Sequence, residues 1–245
     1  MQPLQGSNLQ SHQAMGYDRS STMFSPEGRL LQVEYAKKAV KLGTTSLGIV
    51  CKDGVVLLAD KRVLEPLLIA RSIEKVFQID DHLAASATGF LMDARVLIEK
   101  AQLLAQQHRV SMDTEMDVLS LVKEVANMKQ AYTQYGGARP FGVSIIFAGV
   151  DEVGSQLFVT DVTGMFFQYK ATAIGEFETQ IKEFFEQNYK DGISVDAGIK
   201  LGIDALKFVL AKDFDVNRID GAIVSGDGHF KRLEAGSLAS GNKKK

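Results

Sequence analysis

Cysteine is nearly absent from this 245-residue chain: Cys51 is the single one. A lone thiol excludes an internal disulfide and suits a reducing, cytoplasmic setting. An excess of either charge is also missing. With 28 basic and 30 acidic residues the formal net charge is −2, which gives no electrostatic reason to expect nucleic acid. No apolar run approaches the roughly 20 residues that span a bilayer, so no membrane segment is expected. The four histidines, His12, His82, His108 and His229, are scattered without metal-ligand spacing, so no metal is expected. Gly226-x-Gly228 lacks the lysine and the helix of a phosphate-cradling loop. No cofactor is therefore expected, and any ATP dependence has to come from a partner.

What the chain does have is 45% hydrophobic residues, enough for one substantial core. Residues 1–16 are mostly Gln, Ser, Gly and Asn, with too little apolar surface to order themselves. They lack the basic start and apolar centre of a signal peptide. Ser25-Pro26-Glu27 reads as a helix start, with a capping hydroxyl, a proline in the first turn and an acid at the positive end of the dipole. Leu30, Val33, Ala36 and Val40 then recur at helical spacing, and Gly43 is a plausible stop.

Beyond Gly43 the period changes. Thr45 to Cys51 and Val55 to Asp60 read as strands joined at Asp53-Gly54. Lys75 to Ile79 and Leu83 to Thr88 form a second pair. Helical spacing covers 93–108 and 115–134, and strands return at 143–149, 156–160, 165–169 and 171–174. Helices follow at 177–189 and 195–212, and strands at 219–224 and 229–232 close the chain. Strands and helices come in blocks, which argues against a doubly wound parallel sheet. The expected fold is α+β, a four-layer αββα sandwich of two antiparallel sheets with a helix pair on each outer side. Expected boundaries are a flexible tail over 1–22, one domain over 23–235 and a flexible tail over 236–245.

Several motifs occur in order: Tyr17-Asp18-Arg19, Phe24-Ser25-Pro26-Glu27-Gly28-Arg29-Leu30, Gln32-Val33-Glu34-Tyr35-Ala36, Gly43-Thr44-Thr45, Ser72-Ile73-Glu74-Lys75 and Gly136-Gly137-Ala138-Arg139-Pro140-Phe141-Gly142. With them the chain resembles proteasome core-particle alpha subunits, most closely the archaeal type, over roughly residues 15–233. The resemblance implies the sandwich of N-terminal nucleophile hydrolases. It also implies a homo-heptameric ring that gates substrate admission, templates a ring of beta subunits, docks the C-terminal tails of an ATPase activator and passes unfolded protein chains. Lys75, Gly89 and Leu30 would line the pocket for an activator's terminal carboxylate. Tyr17, Asp18, Arg19, Pro26 and Tyr35 would form the gate. Tyr135, Gly136, Gly137 and Ala138 would line the pore entrance.

Aligned with catalytic relatives, Thr44 falls near the nucleophile, Asp60 near the supporting acid and Lys75 near the lysine. That chemistry uses the free α-amine of a terminal threonine as base, ordinarily with a pKa of about 8. Here the nitrogen of Thr44 is an amide bonded to Gly43. The expectation is a non-catalytic subunit with no catalytic residue. The alternative is a self-processing threonine peptidase freed at Gly43, with Thr44 as nucleophile.

Overall fold

A computed structural model describes residues 16, 19–62, 67, 69 and 73–233. Tyr17, Asp18 and the tail over 236–245 lie outside the described residues. Among those described, ten strands form two five-stranded sheets with every pairing antiparallel. One sheet contains β1 (Ser46–Cys51), β2 (Gly54–Asp60), β8 (Ala171–Ile174), β9 (Ile219–Ser225) and β10 (Phe230–Arg232), in the order β10-β9-β2-β1-β8. The other runs β3-β4-β5-β6-β7, from β3 (Val76–Asp80), β4 (Leu83–Gly89), β5 (Val143–Asp151), β6 (Gly154–Thr160) and β7 (Phe166–Gln168).

Alternation along the strands decides the layers. Val55, Leu57 and Ala59 of β2 point inward to meet Ala84, Ile146 and Ala148 of the opposite sheet. Val56 and Leu58 point outward, with Leu47 and Ile49 of β1. They pack under α4 (Glu178–Asn188) and α5 (Val195–Leu210) through Ile181, Phe185, Ile203 and Leu206. On the far side, Leu83, Ala85, Val143, Ile145 and Phe147 pack under α2 (Leu91–Met112) and α3 (Val118–Tyr132). Helix pairs therefore cover both sheets, and the expected αββα sandwich is what forms. Because both faces of each sheet are covered, the central strands are apolar almost throughout.

The remaining helix, α1 (Leu31–Leu42), belongs to neither outer pair. It lies against β4 and β5 and buries Val33, Ala36 and Val40 with Val162. The helix starts later than Ser25-Pro26-Glu27 suggests, and Ser25 does not cap it. Gly28 N–H donates to the Ser25 carbonyl at 2.8 Å, the Ser25 hydroxyl accepts from Arg29 N–H at 3.3 Å, and Phe24 pairs with Leu30. Gly28 sits at φ +73°, a left-handed conformation that ends any helix entering it and closes this tight turn instead. Leu30 is the extended residue before α1, and no side chain caps the helix. Gly43 does stop it, with extended dihedrals and its N–H on the Val40 carbonyl.

Candidate functional site

At the C-terminal end of α1 the chain turns directly into the mouth between the sheets. The carbonyl of Gly43 accepts from Glu176 N–H at 2.9 Å. A Cβ on Gly43 would stand 2.7 Å from the Gly89 nitrogen and 2.8 Å from Thr88 Cγ2, so helix end and strand end touch with no room for a side chain. The next residue, Thr44, meets Lys75. The lysine Nζ donates to the Thr44 carbonyl at 2.8 Å and to its hydroxyl at 2.5 Å. Thr88 Oγ1 donates to the same carbonyl at 3.0 Å.

Lys75 is 3% exposed. Burial is the main force on its ammonium and pushes the pKa down to about 7. Asp60 and Asp220 pull it upward, while Arg62 adds to the lowering. Neither carboxylate is free to serve as a base. Asp60 is gripped by Arg218 through Nε to Oδ1 and Nη2 to Oδ2, both at 2.7 Å. Asp220 Oδ2 accepts the amides of Lys75 and Val76 at 3.0 and 3.2 Å and holds the start of β3 in place.

The nucleophile, acid and lysine positions therefore converge, but the machinery does not assemble. Thr44 carries an amide nitrogen, Asp60 is committed to Arg218, and the end of α1 is packed over the mouth. Arg218 and Asp220 were not anticipated as parts of this cluster. The available signal was a carboxylate, Asp220, inside the apolar run Ile219 to Val224.

Of the three residues expected in the tail pocket, the structure brings two together. Gly89, at φ +119°, touches Gly43, which precedes the Thr44 that Lys75 holds. Leu30 is at the opposite end of α1, about 18 Å away for twelve residues at 1.5 Å each. A second cluster joins the prefix to the Tyr135–Ala138 loop. Arg19, Ser20, Ser21 and Gln32 line a groove of about 430 Å³ with Gly136, Gly137, Ala138 and Arg139. The Ser21 hydroxyl donates to the Tyr135 carbonyl at 3.4 Å. Pro26 is exposed in its turn, and Tyr35 is half-buried on α1 with Lys38 over its ring. Tyr17 and Asp18 cannot be placed in either cluster, being outside the described residues. Among the described residues no group of His, Cys, Asp and Glu could hold a metal ion, and no helix is long and apolar enough to cross a membrane.

A two-sheet sandwich with paired helices outside, and a threonine at the head of β1 beside a buried lysine, defines the N-terminal nucleophile hydrolase class. The family profile "Proteasome subunit" matches residues 40–224, and the N-terminal signature of A-type proteasome subunits matches 17–39. The proteasome alpha subunit of Methanosarcina thermophila is 49% identical over 221 residues, 90% of each chain. That of Methanocaldococcus jannaschii is 49% identical over 218 residues, 89% of this chain and 83% of its own. That of Archaeoglobus fulgidus is 48% identical over 225 residues, 91% of each. The chain belongs to the proteasome subunit family. Its prefix is the alpha signature, so it is a subunit of the non-catalytic alpha ring, with catalysis carried by the beta subunits. The self-processing alternative is not favoured.

Proposed function

We propose that this subunit closes a homo-heptameric alpha ring that gates a cytoplasmic degradation chamber, templates the beta ring and docks the C-terminal tails of an ATPase activator. The observation that carries the reading is the division of the pocket residues between the two ends of α1. Lys75 and Gly89 lie at one end and Leu30 at the other, too far apart to serve one tail within a single copy. Side by side in a ring, the Leu30 end of one copy can meet the Lys75 end of the next. A chain-terminal carboxylate arriving there supplies the counter-charge that burial denies the ammonium, through a charge-assisted hydrogen bond.

The gate reading rests on the prefix lying beside the Tyr135–Ala138 loop. Successive glycines leave that loop little side-chain bulk, which suits an opening that admits unfolded chain only. The test is removal of residues 1–23 from particles assembled with the catalytic beta chain. Basal hydrolysis of small peptides is expected to rise several-fold. An unchanged rate in assembled particles contradicts the gate.

A further inference from the structure

The Tyr135–Ala138 loop has an anchor outside the tail pocket, at the edge of the groove that the prefix lines. Arg139, directly after the loop, reaches back to Asp93 in the first turn of α2 with a two-pronged ion pair. Nη1 donates to Oδ2 and Nη2 to Oδ1, each at 2.6 Å. The Asp93 side chain is 8% exposed, and its Oδ2 also accepts Gly142 N–H at 2.8 Å. The guanidinium stands 5.8 Å from the centre of the Phe90 ring and donates to the Pro140 carbonyl at 3.0 Å. Phe90 N–H in turn donates to the Gly142 carbonyl at 2.9 Å, and the Phe90 ring fills the space a side chain on Gly142 would need. One carboxylate therefore fastens both ends of the segment 139–142 to the start of α2.

Burial tends to raise the Asp93 pKa, but the Arg139 and Gly142 hydrogen bonds outweigh it and hold the group below its ordinary value. The tip of the loop is lightly packed: a Cβ at Gly136 or Gly137 would meet nothing within 4 Å, and the hydrogen bond it accepts from the Ser21 hydroxyl is a long 3.4 Å. A loop that cannot position itself by packing takes its position from its root. A bidentate guanidinium–carboxylate pair fixes orientation as well as distance, which a lysine cannot do.

We infer that the Asp93–Arg139 pair is a positioning clamp that sets the width of the pore entrance, so that its loss relaxes the size selection on incoming polypeptide. The inference rests on the reading of Tyr135–Ala138 as the entrance loop. Neither residue touches substrate chemistry, since the peptide bond is cut by the beta subunits.

The experiment uses full-length chains assembled with the catalytic beta chain. It compares degradation of a linear denatured polypeptide with that of the same polypeptide closed into a loop by an internal cross-link, which presents two strands at once. Arg139→Ala is expected to raise the looped-to-linear rate ratio at least threefold, both polypeptides being compared on the same particles. Because Arg139→Ala leaves a buried carboxylate unpaired, the double variant Asp93→Asn with Arg139→Gln is made alongside, and the same rise is expected. Arg139→Lys is expected to restore the ratio only in part. A two-residue insertion between Gly136 and Gly137 is the control for the loop itself. If the insertion moves the ratio and both clamp variants leave it within twofold of wild type, the clamp is overturned and the entrance loop stands. If the insertion does not move it either, both fall.

Discussion

Two lysines in this molecule are bound in nearly the same way and belong to regions of different meaning. Lys75 donates to the carbonyl and hydroxyl of Thr44 at 2.8 and 2.5 Å. Lys129 on α3 donates to the carbonyl and hydroxyl of Thr160 on β6, both at 3.1 Å. Burial pushes each ammonium down to about 7. Only Asp161 pulls Lys129 back, whereas Lys75 has Asp60, Asp220 and Arg62 about it. Lys129 projects from an outer helix onto the sheet it covers, and Lys75 lies in the mouth between the sheets. A buried lysine on a threonine is thus a packing solution first, because the carbonyl and hydroxyl supply the acceptors a buried ammonium needs. What makes one of the two a candidate for recognition is its place at the end of α1.

The sharpest way to break the comparison is to remove each amine in assembled particles. Lys75→Ala is expected to reduce activator-stimulated degradation at least tenfold while small-peptide cleavage persists. Lys129→Met, which keeps length and removes charge, is expected to leave stimulation within twofold. Equal losses in the two variants would mean that the Lys75 effect is structural, and the docking role would be withdrawn.

The second measurement treats the two lysines as equals. Each sits at about 7 in the folded chain against an ordinary 10.5. Between those values the unfolded chain binds one more proton per lysine, so stability climbs as pH rises from 7 towards 10.5 and that gain is lost as pH falls back through 7. The upper limit is about 1.4 kcal/mol per pH unit for each lysine. Urea unfolding at pH 7.5 and 9 is expected to show a smaller rise for Lys129→Met than for the wild-type chain. Identical rises exclude Lys129 as the source. Cys51 opposes the trend at higher pH: burial raises its thiol from 9.0 to about 12, so above pH 9 the unfolded chain loses a proton the folded chain keeps.

The smallest effect concerns the threonines. Thr44→Val and Thr160→Val each delete a hydroxyl acceptor and keep the carbonyl, at an expected cost of about 1 kcal/mol apiece. Basal peptide hydrolysis by assembled particles is expected to stay within 1.5-fold of wild type for both. Loss of that activity in Thr44→Val alone would return Thr44 to the role of nucleophile.

Much of the fold was legible because its signals are local. The apolar run after the Asp53-Gly54 turn and the helical spacing in 93–108 reappear as β2 and α2, the helix running a turn longer at its far end. The start of α1 was misread for a local reason too. Ser-Pro-Glu has the composition of a cap, and Gly28, two residues beyond Pro26, redirects the chain into a turn before a helix can form. The candidate site was legible only in its members. Lys75 and Thr44 could be named from motifs and Gly89 from the family resemblance, but not Arg218 closing on Asp60, nor Asp220 holding the Lys75 amide across 145 positions. The motif containing Arg139 was visible, while nothing local sets its partner Asp93 apart from any other acid in a helical first turn.

The amino-acid sequence by itself determined the order of the elements, the apolar faces that had to be covered, and the amide that denies Thr44 a terminal amine. Each depends on covalent neighbours or on the spacing of residues a few positions apart. Only the tertiary structure decided which distant groups meet: that Asp60 is taken by Arg218, that Leu30 stands a helix length from Lys75, and that Asp93 anchors the root of the Tyr135–Ala138 loop. Those pairings follow from how the two sheets and their helices stack, because an ion pair forms where packing brings its partners within reach.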